Sequence, residues 1–151
     1  MVNSKVRVRL CIALIIANVA FIWGNSMLPA EMSAALSSAV KRMLLFFLPE
    51  GEAPVVQGTG LLRKIAHVLE FTSLGILWCW YLLMGKRKPA LAFMPGVCTA
   101  CIDETIQCFV PDRGPGIKDV GIDTLGVILG VVIIYFIRKR KKLKYLEEQT
   151  L

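Results

Sequence analysis

The chain has 151 residues, 56% of them apolar and 19% charged, with a formal charge of +7 and a mean hydropathy of +0.62. Soluble domains carry about 45–50% apolar and about 25% charged residues, so this composition excludes a disordered chain, and the length allows one domain, 1–151. Five cysteines lying mostly in apolar runs argue against a disulfide scaffold, and basic residues clumped at the ends and between apolar runs point to a membrane protein, not to a nucleic-acid binder.

A bilayer core takes about 20 apolar residues of helix, and four segments supply them, at about 6–24, 61–83, 90–110 and 120–137. The first has a basic start like a signal peptide, but Gly24-Asn25-Ser26 lacks the alanines of a favoured cleavage site, so it reads as a retained span. Between it and the second span, Met32, Leu36, Val40, Met43 and Phe47 recur at helical spacing, which predicts an amphipathic helix on the external leaflet. Pro49 to Gly60 then reads as a linker. The fold class expected is all-α: a polytopic membrane protein of four transmembrane helices with that external helix between the first and second.

Orientation follows from the basic residues, which collect on the cytoplasmic side. Lys5, Arg7 and Arg9 lie at the start of the first span, Lys86, Arg87 and Lys88 fill the turn after the second, and Arg138 to Lys142 with Lys144 follow the fourth. Both termini are therefore expected in the cytoplasm, with twelve of the 18 basic residues, whereas nine of the 11 acidic residues fall outside or near the outer face.

Polar residues crowd the same outer ends. At 100° per residue, Arg63, His67 and Glu70 fall within about 60° of one another on the second helix, with Lys64 to the side. Asp103, Glu104 and Gln107 sit near the outer end of the third. Asp119 and Asp123 share a face of the fourth with Gly126 and Gly130, a pair able to bring another helix close. By helical rise, His67 and Glu104 lie roughly 9 Å below the outer ends of their spans and Glu70 roughly 13 Å. An ionisable group in hydrocarbon costs roughly 2.5–3.5 kcal/mol even on the lenient insertion scale, so five carboxylates here must face each other, water, a metal or a ligand. The simplest pairing is internal: Arg63 with Glu70, His67 with Asp103, and Arg113 with Asp119.

In order, the chain gives Arg63-Lys64-Ile65-Ala66-His67-Val68-Leu69-Glu70-Phe71, then Asp103-Glu104-Thr105-Ile106-Gln107, Pro111-Asp112-Arg113 and Asp119, and finally Asp123-Thr124-Leu125-Gly126. This pattern resembles the VanZ-like family of small bacterial membrane proteins over about Arg63 to Gly130, and Asn25-Ser26 resembles that family's polar-serine segment after its first span. Asp112 departs from it, standing where a glycine is common before the arginine. The resemblance implies a four-helix protein of the bacterial cytoplasmic membrane, in a family whose founding member is associated with teicoplanin resistance. It supplies a setting in the cell envelope and leaves the reaction open.

Two chemistries fit these residues. In the first, an enzyme acts on a lipid-linked envelope substrate by metal-assisted phosphoryl transfer or hydrolysis. Asp103, Glu104, Asp119 and Asp123 would hold magnesium or manganese, with His67, Glu70, Asp103 and Glu104 as catalytic groups. Arg63, Lys64, Gln107 and Arg113 would bind substrate, Arg113 as a bidentate phosphate fork. In the second, the same cations hold a lipid head group or a glycopeptide without catalysis. A third reading, a proton-coupled carrier, is disfavoured because Ile76 to Leu83 and Val127 to Ile137 contain no acid, base or histidine. Cys98-x-x-Cys101 lacks the second pair a structural zinc site needs. Pro95-Gly96 is expected to kink the third helix, and Trp23, Trp78, Trp80 and Tyr81 to anchor span boundaries.

Overall fold

The structure, a computed structural model, describes residues 3–29, 31–33, 35, 38–39, 42, 59–114 and 116–150. Among these it is entirely helical: α1 (Ser4–Ser26), α2 (Thr59–Met84), a 3-10 turn (Pro89–Ala92), α3 (Phe93–Gln107) and α4 (Ile117–Thr150). Asn3 caps α1, its side chain accepting from the Lys5 N–H. Three segments are long and apolar enough to cross a membrane, Ser4–Ser26, Leu61–Met84 and Ile117–Lys142.

The third expected span is built differently. α3 has 15 residues and is about 22 Å long, short of a hydrocarbon core of about 30 Å; the 3-10 turn makes up its start. Pro95, expected to kink this span, occupies the first turn of α3, where a backbone N–H has no intrahelical partner to lose. α4 runs beyond its expected end at 137 through the basic run, since Lys and Arg are good helix formers. Of the expected external helix, residues 31–33, 35, 38–39 and 42 are helical. Leu36, Val40, Met43 and Phe47, which define its apolar stripe, and the linker up to position 58 lie outside the described residues.

α2 and α4 form the central pair and run parallel, and glycines set how closely they approach. A Cβ on Gly126 would stand 2.7 Å from the Val68 carbonyl oxygen, one on Gly130 2.5 Å from that of Thr72, and one on Gly75 2.6 Å from that of Val127. α3 is drawn in the same way, since a Cβ on Gly96 would meet Val127 Cγ1 at 2.6 Å. Around this contact pack Ile22, Phe71, Leu74, Ala100 and Val127, with Trp23, Trp78 and Tyr81 against them. Those three aromatics are half-buried against this core, Trp78 and Tyr81 edge to face at 5.7 Å, whereas Trp80 is exposed. Leu10, Ile16, Phe21, Met94, Tyr135 and Phe136 form an apolar exterior suited to lipid. Cys98 and Cys101 are free thiols on that exterior.

Candidate functional site

Parallel packing of α2 and α4 fixes the register of their polar ends. With Gly126 seated against Val68, Phe71 and Thr72, the residue one turn earlier on α4, Asp123, meets the residue one turn earlier on α2, His67. Their Nδ1 and Oδ1 atoms are 3.3 Å apart. α3 adds Asp103, whose Oδ2 is 3.9 Å from the same nitrogen. Three helices thus bring one imidazole and two carboxylates together, with one ligand atom from each residue lying within 4.8 Å of the others.

The end of α1 closes the site. Ser26 Oγ donates to Asp103 Oδ2 at 2.8 Å, and Gln107 Nε2 donates to the same oxygen at 3.0 Å. Asn25 Nδ2 donates to Glu70 Oε1 at 2.7 Å. Two turns back, Asn18 Nδ2 donates to Ser73 Oγ, which in turn donates to the Glu70 carbonyl oxygen. Asn18, the polar interruption in the first span, therefore adds a second side-chain tie between α1 and α2.

Arg113 holds this end from the loop between α3 and α4. Its guanidinium is buried and donates to the Ser26 carbonyl oxygen at 3.1 Å and the Asn25 carbonyl oxygen at 3.3 Å, so a fixed cation caps the negative end of α1. Burial and then the nearby Arg63 charge pull it below its ordinary pKa, while Asp103 and Glu104 oppose that shift. Asp112, just before it, adopts φ 60°, a left-handed conformation that suits glycine, with Asp and Asn as its usual substitutes. The departure at Asp112 thus leaves the turn that aims Arg113 in place.

The expected site residues fall into three groups. His67, Asp103 and Asp123 form the cluster, with Gln107 bonded to it and Glu70 beside it. Arg63, Lys64 and Asp119 line its approach: together with His67, Gln107 and Asp123 they enclose a cavity of about 10 Å³. Arg63 and His67 also border a second cavity of about 60 Å³ that reaches Asn25, Glu70 and Arg113. Glu104 stands apart, since its Oε1 accepts the Gly116 N–H and so fastens the loop to α3. Of the internal pairings expected, His67 with Asp103 forms at 3.9 Å. Arg63 does not pair with Glu70, nor Arg113 with Asp119, because Asn25 and the α1 carbonyls take those partners. Asn25, Ser26 and Ser73 were not singled out as site residues: small polar residues at a span end look like ordinary interfacial sequence.

The cluster carries more negative charge than its neighbours answer. Asp103 Oδ1, Asp123 Oδ2 and Glu70 Oε2 are buried without a hydrogen-bond partner, and Asp123 Oδ1 has only the His67 imidazole at 3.3 Å beside it; each unsatisfied group costs about 1–3 kcal/mol or more when charged. A cation fits this deficit. Adjacent ligands at about 2.1 Å from an ion stand about 3.0–3.4 Å apart, close to the 3.3 Å observed, and the 3.9 Å pair requires a shift of about half an ångström. One imidazole with two carboxylates suits manganese or zinc better than magnesium, which prefers an all-oxygen shell.

The family described as VanZ/LLP1 matches residues 11–138. No curated protein and no solved structure gives a significant match. The match takes in the polar end of α1, the His67–Glu70 face, the Asp103–Gln107 turn, Arg113 and the Asp123–Gly130 stripe, and the chain belongs to the VanZ-like family of membrane proteins.

Proposed function

We propose that this protein holds a divalent cation on His67, Asp103 and Asp123 at the outer leaflet and uses it to hydrolyse a lipid-linked phosphate of the cell envelope. The observation that carries this reading is the convergence of three ligand atoms from three helices beside buried carboxylate oxygens that accept no hydrogen bond from the protein. On this reading the 3-10 turn and α3 together form a third crossing, which with both termini in the cytoplasm would put the cluster outside.

When bound, the cation supplies Lewis acidity and an acidified water. Arg63 and Lys64, at the mouth of the smaller cavity, take the phosphate charge. As water oxygen bonds to phosphorus, the P–O bond to the leaving group breaks. Glu70, which lines the neighbouring cavity and whose Oε2 has no hydrogen-bond partner, accepts the water proton, and solvent protonates the leaving oxygen. Ser26 and Gln107 keep Asp103 in its ligating position.

The test supplies purified protein with long-chain lipid phosphates and diphosphates in the presence of manganese and follows released phosphate. Release is expected to fall about 100-fold or more in Asp123→Asn, as for removal of a metal ligand. Absence of release from the folded wild type would overturn catalysis. A binding role, supported by the Arg63 and Arg113 walls of the larger cavity, would instead show metal-independent retention of the lipid. Glycopeptide tolerance belongs to this proposal as its cellular consequence: expression should raise survival in teicoplanin, and Asp123→Asn should remove the gain.

A further inference from the structure

A cavity larger than either of those beside the polar cluster lies at the other end of the bundle. It is a groove of about 820 Å³ between the 3-10 turn and α4. Lys88, Arg138, Lys139 and Lys142 line its rim, and no acidic residue lines it. Among the described residues, none of the four has a carboxylate partner. Pro89, Val131, Val132 and Tyr135 make the rest of the wall apolar. Arg138 follows Asp123 by 15 residues, about 22 Å along α4, so the rim stands roughly a bilayer leaflet and a half away from the polar cluster.

We propose that this groove is a binding site for an anionic phospholipid. Its phosphate meets the basic rim, and one acyl chain lies along Val131, Val132 and Tyr135. Two features single out this occupant. Four unanswered cations complement a phosphodiester at the depth of a head group. The apolar wall continues from them toward mid-membrane, where a free phosphate would leave it bare and an acyl chain covers it. The proposal does not depend on the chemistry at the opposite end.

The test counts lipids retained by the full-length protein in detergent, using native mass spectrometry with phosphatidylglycerol or phosphatidylcholine of the same acyl composition. Phosphatidylglycerol is expected to be retained in preference. Arg138→Gln with Lys142→Gln should weaken its retention about 30-fold, taking about 1 kcal/mol for each basic residue near a phosphate. Lys5→Gln with Arg7→Gln removes equal charge away from the groove and should leave retention unchanged. Val132→Trp narrows the groove without changing charge and should also weaken it. Equal loss in the two double variants, or phosphatidylglycerol retention in Val132→Trp equal to wild type, would reduce the effect to general surface charge and overturn the proposal. So would equal retention of the two lipids.

Discussion

Asp103 is fully buried, and its charge is held by two donors from different elements, Ser26 and Gln107, beside the imidazole of His67. Removing one donor leaves a buried acceptor short of a partner, so Ser26→Ala should destabilise the protein by about 1–3 kcal/mol, seen as a lower thermal midpoint in detergent. Asp112 offers a test in the opposite direction. Its φ of 60° makes Asp112→Gly neutral or stabilising by up to about 1 kcal/mol, and Asp112→Val destabilising by about 1–2 kcal/mol. A stable Val variant would contradict the turn that presents Arg113. Among single residues, the sequence made His67, Asp103, Gln107 and Asp123 legible because polar and ionisable groups stand out against apolar spans. The role of Arg113 was not legible. Its partners are main-chain carbonyls of α1, and a backbone acceptor leaves no mark in residue type.

At the scale of elements, α2 and α4 owe their close approach to glycines, and so does the meeting of His67 with Asp123. Gly130→Ala places a Cβ 2.5 Å from the Thr72 carbonyl oxygen, a backbone contact that no rotamer change relieves. It should cost about 1–3 kcal/mol and disturb the cluster by displacing one helix along the other. Gly121→Ala has no heavy atom within 4 Å of its new Cβ and should raise helix stability by up to about 1 kcal/mol. Thermal unfolding of the two variants checks both signs, and equal effects would contradict the packing. The Gly126–Gly130 spacing announced a close helix contact before its partner was known. The shortness of α3 was concealed, because the apolar run from Pro89 to Ala92 continues the helical composition while the chain there takes a 3-10 path.

Over the whole molecule, charge and polarity separate along the bundle axis. The carboxylates gather where α1 and α3 end and α2 and α4 begin, and the basic residues gather at the α2–α3 turn and beyond the apolar part of α4. This asymmetry predicts topology. In a chain with its native cysteines replaced, Gly114→Cys should react with a membrane-impermeant thiol reagent on intact cells, and Arg87→Cys should react only after permeabilisation; both positions are exposed. Reversed labelling would move the polar cluster to the cytoplasm. Hydropathy and charge sufficed to anticipate the helical class and the clustering of polar ends. The way α1 closes over the site was beyond them, since it depends on which neighbours Asn18, Asn25 and Ser26 meet, and that is a property of helix rotation and register.

The central claim is that His67, Asp103 and Asp123 form a cation site. Its most direct measurement is the thermal midpoint of the purified protein in detergent, stripped with chelator and then titrated with manganese, zinc, magnesium and calcium, alongside Asp123→Asn. A folded-state ligand stabilises by RT ln(1 + [L]/Kd), about 2.7 kcal/mol at a hundredfold excess over Kd. A cation site there predicts a saturable rise with manganese or zinc that is absent in Asp123→Asn. A folded wild-type protein whose midpoint none of the four ions moves, or a rise that persists unchanged in the variant, would contradict it.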